Sequence, residues 1–392
     1  MADIGFVSTA QLGEESDSVV SLTRGRMVFV ASEPIVKAWP RGRHRSRPTG
    51  DPATASLEVD RALQQTHVAL ETLQALPSIA VRLGPAPIAG RSQTALRGPA
   101  MELPRWGVFA FLDGLGGEDT IGFAREVERL GYGVLWLVEA LGRDALAHAA
   151  ALLVRTERLV VGSGVASIWG REASQAMAAA RTNAEVSGGR FVLGLGVNNP
   201  TSAAMRGLPY DRPVTAMRTY LRRLGETPYG APPPAEDPPV VVAALQPRML
   251  QVAAAQAAGT LTYLMTPAHT ARARAALGTR WVCVEQAVIL ETDPVRARAA
   301  ARAYLGFYLP AIAIYTRTLA TLGFEAADFA GGLSDRLVDA LVAWGDAAQI
   351  RSRLEEHVRA GASHVCILPL DPSGGLAPDR RALAVLAPYL EH

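Results

Sequence analysis

The chain contains almost no lysine and little cysteine, and both scarcities exclude kinds of chemistry. Lys37 is the only lysine among the 39 basic residues, so no Schiff-base lysine, Walker lysine or reductase tyrosine–lysine pair can exist in the main body of the chain. The two cysteines, Cys283 and Cys366, cannot form a structural zinc site and are typical of a reduced protein. No run of about 18 apolar residues and no N-terminal signal segment occur, so we expect a cytoplasmic protein without a membrane span.

Charge is also scarce. Charged residues make up 19% of the chain, below the roughly 25% typical of globular domains. The formal net charge is +2, which implies neither a nucleic-acid partner nor attraction to a membrane surface. Because hydrophobic residues make up 49% of 392 residues, we expect an α/β protein with a large core and strands covered on both faces.

Several catalytic motifs are absent as well. The sequence has no H-x-x-x-H spacing, no G-x-S-x-G turn and no P-loop, so metal catalysis and nucleophile-elbow chemistry are not expected. The histidines of the main body lie within or beside predicted helices and strands. We expect core or capping roles for His148, His269, His357 and His364.

The first 103 residues differ from the rest. They hold three aromatic residues, a Pro/Arg/Gly tract from Pro40 to Pro52 and one predicted helix, Ala53 to Leu76. This composition predicts a mostly flexible extension. Met101 begins a phrase, MELPRWGVFAF, that would itself make a sensible start for the main domain, so a start codon assigned too early is one alternative. A regulatory or docking arm is the other.

Residues 104–392 alternate regularly between apolar strands and helices. The predicted strands are Trp106–Phe111, Val134–Val138, Arg158–Ala166, Arg190–Leu195, Val240–Ala243, Thr260–Leu264, Val282–Leu290 and Ser363–Leu368. Late in the chain the pattern predicts one long helical stretch, Asp293–Leu322, and helices at Arg336–Trp344, Ala348–Ala360 and Asp379–Leu390. Eight strands with helical crossovers predict a (β/α)8 TIM-type barrel, and an open doubly wound sheet is the alternative.

In a barrel the functional site lies at the carboxyl ends of the strands. Five clusters follow predicted strands there: Glu139–Arg143, Ala166–Arg171, Gly194–Asn199, Ala244–Met249 and Tyr263–His269. Glu139 comes directly after the buried strand LWLV, where a carboxylate is costly unless it is paired or used. A structural ion pair with Arg143 or Arg171, and a catalytic or ligand-orienting role, are about equally favoured.

Two further clusters bear on ligand binding. Gly194 and Gly196 resemble the opening of a dinucleotide fingerprint, but the third glycine is absent, so only close approach of a ligand to the backbone is inferred. Gln246, Pro247 and Arg248 end the fifth strand and open a helix, where free amides and one guanidinium would bind phosphate. An ordinary capped helix with a solvated Arg248 explains those residues equally well.

The run from Gly131 to Asn198 contains GYGVLWLVEALGRD, RLVVGSGVASIWGRE and EVSGGRFVLGLGVN. It resembles the luciferase-like oxidoreductase superfamily, most of all the branch that uses the deazaflavin coenzyme F-420. The later stretches AALQPRML, TYLMTPAHTARARAALG, VEQAVILETDP and SDRLVDALVAWGD agree, so the resemblance spans roughly residues 104–370. It implies a TIM-type barrel whose mouth receives the coenzyme ring.

The resemblance also implies particular positions. A non-prolyl cis peptide would follow the third strand, at a bulge among Val165, Ala166, Ser167 and Ile168, and would back the ring. The coenzyme phosphate would meet the ends of strands four and five. Glu139 would lie near the reacting edge of the ring, as a proton donor or an orienting group. The implied cofactor-binding residues are Ala166, Ser167, Ile168, Gly194, Gly196, Val197, Asn198, Leu245, Gln246 and Arg248, and the implied catalytic residues are Glu139 and Asn198.

One departure bears on the chemistry. Relatives often carry Ser-His after the glycine pair, where this chain has Asn198-Asn199, so a histidine acid is missing at that position. Asparagine can hold a carbonyl group but cannot deliver a proton near neutral pH.

Three functions therefore stay open. The first is an F-420-dependent oxidoreductase that acts on a small molecule, and the second is an FMN-dependent monooxygenase that needs a separate flavin reductase. The third is a barrel without catalysis that only binds. Relatives are often dimers, so the resemblance also implies a homodimer. We expect the pocket lining to come from loops such as Pro200–Tyr210 and from the segment Asp293–Asp335.

Overall fold

The computed structural model describes residues 5–8, 20–23, 26–31, 101–375 and 377–387. The chain divides into two units, residues 1–87 and 88–392. In the first unit the strands Gly5–Ser8, Val20–Thr23 and Arg26–Ala31 form a sheet that the sequence pattern did not predict. The predicted helix Ala53–Leu76 lies outside the described residues.

The second unit is a closed barrel of eight parallel strands, as predicted. Its strands are β1 Trp106–Ala110, β2 Val134–Leu137, β3 Val160–Ser163, β4 Phe191–Gly196, β5 Val240–Ala243, β6 Gly259–Thr262, β7 Trp281–Ile289 and β8 His364–Pro369. Each strand pairs with the next in sequence, and β8 pairs with β1 through Cys366 and Gly107. This closure excludes the open doubly wound sheet.

Helices separate the strands and cover the barrel. They are α1 Gly117–Arg129, α2 Ala145–Leu153, α3 Ala173–Ser187, α4 Pro200–Met205, α5 Pro213–Gly225, α6 Pro247–Gln256, α7 Pro267–Leu277, α8 Pro294–Tyr308, α9 Ala313–Ala320, α10 Ala326–Phe329, α11 Asp335–Leu341, α12 Ala347–Arg359 and α13 Arg380–Leu386. Local signals set their starts: proline occupies the first turn of α4 to α8, and Asp144 caps α2 through the amides of Leu146 and Ala147.

The strands are apolar on both faces because each face is buried. Leu135 and Leu137 of β2 pack outward against the helices, whereas Val134 and Trp136 face the barrel interior. The interior is partly polar, since the Trp136 indole N–H donates to His364 Nε2 at 2.9 Å. Burial lowers the pKa of His364 to about 4, which keeps this ring neutral as a core histidine.

Three helical or strand predictions were wrong in detail. The stretch 293–322 is two helices rather than one, broken after Leu309 where Pro310 cannot continue α8. The predicted helix Arg336–Trp344 ends at Leu341, because Val342–Trp344 pairs as an extra strand with β7. The predicted third strand is interrupted: Val160–Ser163 and the short strand Ala166–Ser167 are separate.

In the described parts of the chain, no helix is long and apolar enough to cross a membrane.

Candidate active site

A non-prolyl cis peptide bond joins Gly164 to Val165, directly after β3. The resemblance implied such a bond after the third strand, and this is where the structure has it. The residues that follow are tied to the end of β4: the Ile168 amide donates to Gly196 O at 3.1 Å, and the Trp169 indole N–H donates to Val197 O at 2.8 Å. We call residues 164–169 the cis segment; it lies at the carboxyl end of the barrel.

The two glycines of β4 are required by packing against the cis segment. A Cβ on Gly194 would lie 1.9 Å from the backbone oxygen of Ser163, and one on Gly196 would lie 2.4 Å from a methyl group of Val165. The Ser163 hydroxyl also donates to Gly194 O at 2.8 Å and accepts from Gly194 N at 2.9 Å. Close approach of two protein segments therefore explains this pair, a reason that the G-x-G pattern did not reveal.

Glu139 lies at the end of β2 with its side chain 3% exposed. Arg171 donates to both carboxylate oxygens, at 3.1 Å and 2.6 Å, and Arg206 lies 3.7 Å from Oε1. The backbone amide of Ser167 donates to Oε1 at 3.1 Å, and that of Ala145 donates to Oε2 at 3.3 Å. Every partner is a donor, so in this arrangement the carboxylate accepts hydrogen bonds and joins β2 to the cis segment and to α2.

Of the two ion pairs considered from the sequence, the one with Arg171 forms. Arg143 instead donates to the backbone oxygens of Leu112 and Leu115. Arg171 also pairs with Asp144. Burial opposes the charge of Arg171, but its bonds to Glu139 and Asp144 raise the pKa of the guanidinium above its ordinary value.

Asn198 follows β4 in a left-handed conformation, with φ of 49°, which asparagine tolerates better than most residues. Its Oδ1 is buried and finds no hydrogen-bond partner among the residues that the structure describes. The same atom would lie 3.3 Å from a Cβ on Gly196. A buried acceptor without a partner is costly, so a ligand N–H or O–H is the group that fits it.

The end of β5 offers a second polar edge. Leu245 O accepts from the imidazole Nε2 of His269 at 2.9 Å, and Gln246 donates to Thr318 Oγ1 at 2.6 Å. Helix α6 begins here without a side-chain cap, and the exposed Arg248 has no ion pair within the described part of the chain. Leu245 and Gln246 are thus engaged within the protein, whereas Arg248 is available to an anion.

A cleft of about 460 Å³ opens beside the cis segment, between α3 and α5. Ile168 and Trp169 of the segment line it together with Arg171, and Arg223 of α5 lies opposite.

The structure brings most of the predicted site residues to one end of the barrel. Ala166, Ser167 and Ile168 lie in the cis segment, which contacts Glu139 and the end of β4. The ring of Phe109 packs against Gly164, where a Cβ atom would lie 2.7 Å from a ring carbon. The sequence did not indicate this residue. No motif marks Phe109, because it is one apolar residue in a buried strand.

This end of the barrel fits a ring-shaped cofactor with an anionic tail. The unpaired Asn198 Oδ1 suits a ring N–H donor, and the uncapped start of α6 with Arg248 suits a phosphate. No cluster of three or more histidine, cysteine or acidic side chains suited to a metal ion occurs in the described residues.

A closed (β/α)8 barrel with a cis peptide after its third strand and polar groups at the strand ends defines a TIM-barrel enzyme architecture. The chain belongs to the luciferase-like monooxygenase family, because the sequence model of that family matches residues 110–364. Membership of this family makes the protein an enzyme of the luciferase-like superfamily.

Individual relatives are more distant. A 5,10-methylenetetrahydromethanopterin reductase of Methanolobus tindarius is 25% identical over 100 residues, which span 25% of this chain and 31% of that protein. The coenzyme F-420-dependent tetrahydromethanopterin reductase of Methanopyrus kandleri superposes with a TM-score of 0.57 at 16% identity, covering 74% of this chain and all of the other. A Baeyer–Villiger monooxygenase component of Pseudomonas putida in complex with FMN gives 0.56 at 13%, covering 73% and 97%. Structural likeness at these identities shows the fold alone.

Proposed function

We propose that this protein is a coenzyme F-420-dependent oxidoreductase that transfers a hydride between the reduced deazaflavin and a small organic substrate. The observation that carries the proposal is the buried, unpaired Asn198 Oδ1, which lies close to Gly196 at the carboxyl end of the barrel. The F-420-dependent tetrahydromethanopterin reductase among the structural neighbours supports this choice of cofactor. A cytoplasmic location and a homodimer remain predictions from the sequence.

In this proposal the chain's own residues bind and orient. Residues 164–169 form the wall behind the ring, Asn198 accepts a hydrogen bond from it, and Arg248 with the first turn of α6 binds the phosphate. Glu139 acts as the orienting group rather than as the proton donor, because all of its contacts are with donors that it holds in place. When bound, F-420 supplies the hydride chemistry.

An FMN-dependent monooxygenase with a separate reductase is the alternative. The FMN complex among the structural neighbours favours it. The cis segment and the phosphate-binding residues at the start of α6 would serve FMN as well as F-420. The two functions differ in their need for oxygen: turnover under anaerobic conditions supports F-420, and oxygen consumption with reduced FMN supports the monooxygenase. Binding of neither cofactor would favour a barrel that has lost catalysis.

Replacing Arg248 with methionine tests the phosphate site. We expect the affinity of the full chain for F-420 to fall about tenfold or more, since one charge-assisted hydrogen bond contributes about 1.5–3 kcal/mol. Fluorescence titration with F-420, and separately with FMN, measures the change. The expected loss is of cofactor affinity, with the unfolding midpoint unchanged.

Arg129→Met is the matched control. Arg129 is also exposed, but it lies in the last turn of α1, which leads into the amino end of β2 and so away from the carboxyl ends of the strands. We expect this variant to bind F-420 like the wild type. Equal affinities of the Arg248 and Arg129 variants would contradict a phosphate site at the start of α6.

A further inference from the structure

Glu285 is a carboxyl group inside the barrel that the proposed function does not use. It lies in the middle of β7 and is 1% exposed. Its neighbours Cys283 and Ala287 belong to the inner core, so the alternation of the strand turns Glu285 inward as well. In the strand WVCVEQAVI only Glu285 and Gln286 are polar, and Glu285 alone is ionisable as a carboxyl, which is the signal that the sequence offered.

The two oxygens of Glu285 have different surroundings. Oε2 accepts a hydrogen bond from the backbone amide of Leu264 at 3.0 Å. Oε1 is buried and has no hydrogen-bond partner among the residues that the structure describes. An orphaned oxygen on a buried carboxyl is costly, and a ligand oxygen or a water molecule would satisfy it.

Four tyrosines interact electrostatically with this group, and we call Tyr263, Tyr304, Tyr308 and Tyr315 the tyrosine cluster. Tyr263 directly precedes Leu264, whose amide donates to Glu285. The hydroxyls of Tyr263 and Tyr304 are hydrogen-bonded, and the Tyr263 ring lies 5.7 Å from that of Tyr308 and 6.2 Å from that of Tyr315. All four tyrosine residues are partly exposed, whereas Glu285 is buried.

The tyrosine cluster adjoins the proposed position of the cofactor. The ring of Phe109 lies 5.3 Å from that of Tyr263 and also packs against Gly164 of the cis peptide. One aromatic ring therefore separates the wall behind the cofactor from the tyrosine cluster. A substrate held here would lie beside the cofactor ring.

We propose that the free Oε1 of Glu285 and the tyrosine hydroxyls form a neutral site that binds the carbonyl or hydroxyl oxygen of an uncharged, largely apolar substrate. The inference rests on the proposed function, since it names the substrate class of the same enzyme. The aromatic rings supply apolar contact for the body of the substrate. A carboxylate substrate is disfavoured, because neither Glu285 nor the tyrosine cluster offers a positive charge to pair with it.

Protonation makes Glu285 a donor. Burial raises the pKa of Glu285 from its ordinary value of 4.5 to about 8, although the Leu264 amide opposes this rise. Because Oε2 accepts from that amide, the proton belongs on Oε1. The titratable groups that face Glu285 are the tyrosine cluster, from α8, α9 and the end of β6, and Cys366 of β8. Burial raises the pKa of each of these as well, so all are neutral at pH 7.

The test uses the full chain saturated with whichever cofactor binds, and two probes of similar shape, acetophenone and benzoate. We expect calorimetry to show binding of acetophenone at least tenfold tighter than of benzoate at pH 6.5. This affinity should fall as the pH rises through about 8, where the donor is lost. Glu285→Gln keeps an N–H donor, so this variant should still bind acetophenone, but without the pH dependence. Glu285→Leu should bind acetophenone at least tenfold more weakly than the wild type.

Equal binding of acetophenone by wild type and Glu285→Leu, or no binding by the wild type, would overturn the site. Cofactor affinity is measured separately on the same variants: if the cofactor binds and the probes do not respond, the site fails while the proposed function stands. If neither F-420 nor FMN binds, the proposed function fails, and the site is then judged on the protein without cofactor.

A measurement without any ligand completes the test. Between pH 4.5 and about 8 the folded state keeps a proton on Glu285 that the unfolded chain releases, so folding weakens as the pH rises. Relative to Glu285→Gln, the wild-type folding equilibrium should fall by roughly tenfold per pH unit within this window. Denaturation midpoints that run parallel for the two proteins would contradict a buried, protonated Glu285.

Discussion

Replacing Glu139 with glutamine is expected to lower the free energy of unfolding by about 3 kcal/mol. Breaking a buried ion pair by removing one partner costs roughly 3–5 kcal/mol, because the remaining charge is left uncompensated. Asp144 still pairs with Arg171 in the variant, which favours the lower end of that range. Chemical denaturation of the two proteins at neutral pH measures the difference.

The same variant separates an orienting role from a proton-donating one. If Glu139 orients the cis segment through the Ser167 amide, Glu139→Gln should weaken cofactor binding while the pH profile of turnover keeps its shape. A stable variant with normal cofactor affinity but an altered pH profile would identify Glu139 as the acid instead.

Glu157→Gln is the matched control for stability. The Glu157 side chain is 88% exposed and lies 4.0 Å from Arg158. Loss of such a surface pair changes stability by at most about 0.5–1 kcal/mol. Combining Glu139→Gln with Arg171→Met should cost less than the sum of the two single changes, since the second removes the charge that the first leaves unpaired.

Replacing Gly194 with alanine is expected to destabilise the barrel by about 3 kcal/mol and to abolish cofactor binding. Its Cβ would lie 1.9 Å from Ser163 O, a backbone atom that cannot turn aside as a side chain can. Overpacking of this kind costs about 1–3 kcal/mol, and more where backbone must move. The displaced segment leads directly into the cis peptide at Gly164–Val165. Thermal unfolding and F-420 titration report the two effects.

Gly122→Ala is the same substitution at another position, and we expect it to raise the stability of the protein. Gly122 lies exposed within α1, and a Cβ there meets nothing within 4 Å. Alanine in a helix is favoured over glycine by roughly 0.5–1 kcal/mol, so this variant should be more stable than the wild type. If Gly194→Ala were tolerated as well as Gly122→Ala, the packing reason for the β4 glycines would be wrong.

Several site residues could be found from the sequence because a polar residue directly after an apolar run indicates the end of a strand. Glu139 follows an apolar strand without interruption, and Asn198 and Arg248 come just after two others. Once the strands are aligned in parallel, all three must lie at one end of the barrel. Arg171 also belongs to a predicted cluster. Its ion pair with Glu139, 32 positions away, depends on the path of the loop after the cis segment.

The sequence by itself determined the architecture, because apolar strands, proline-led helices and their alternation are local patterns with one common solution. The tertiary structure alone decided which groups meet. It set the β4 glycines against Ser163 and Val165, gave every oxygen of Glu139 a donor, and brought Glu285 to tyrosines from three other elements. These contacts join residues far apart in the chain, and their distances depend on how the strands close into a barrel, which local periodicity does not encode.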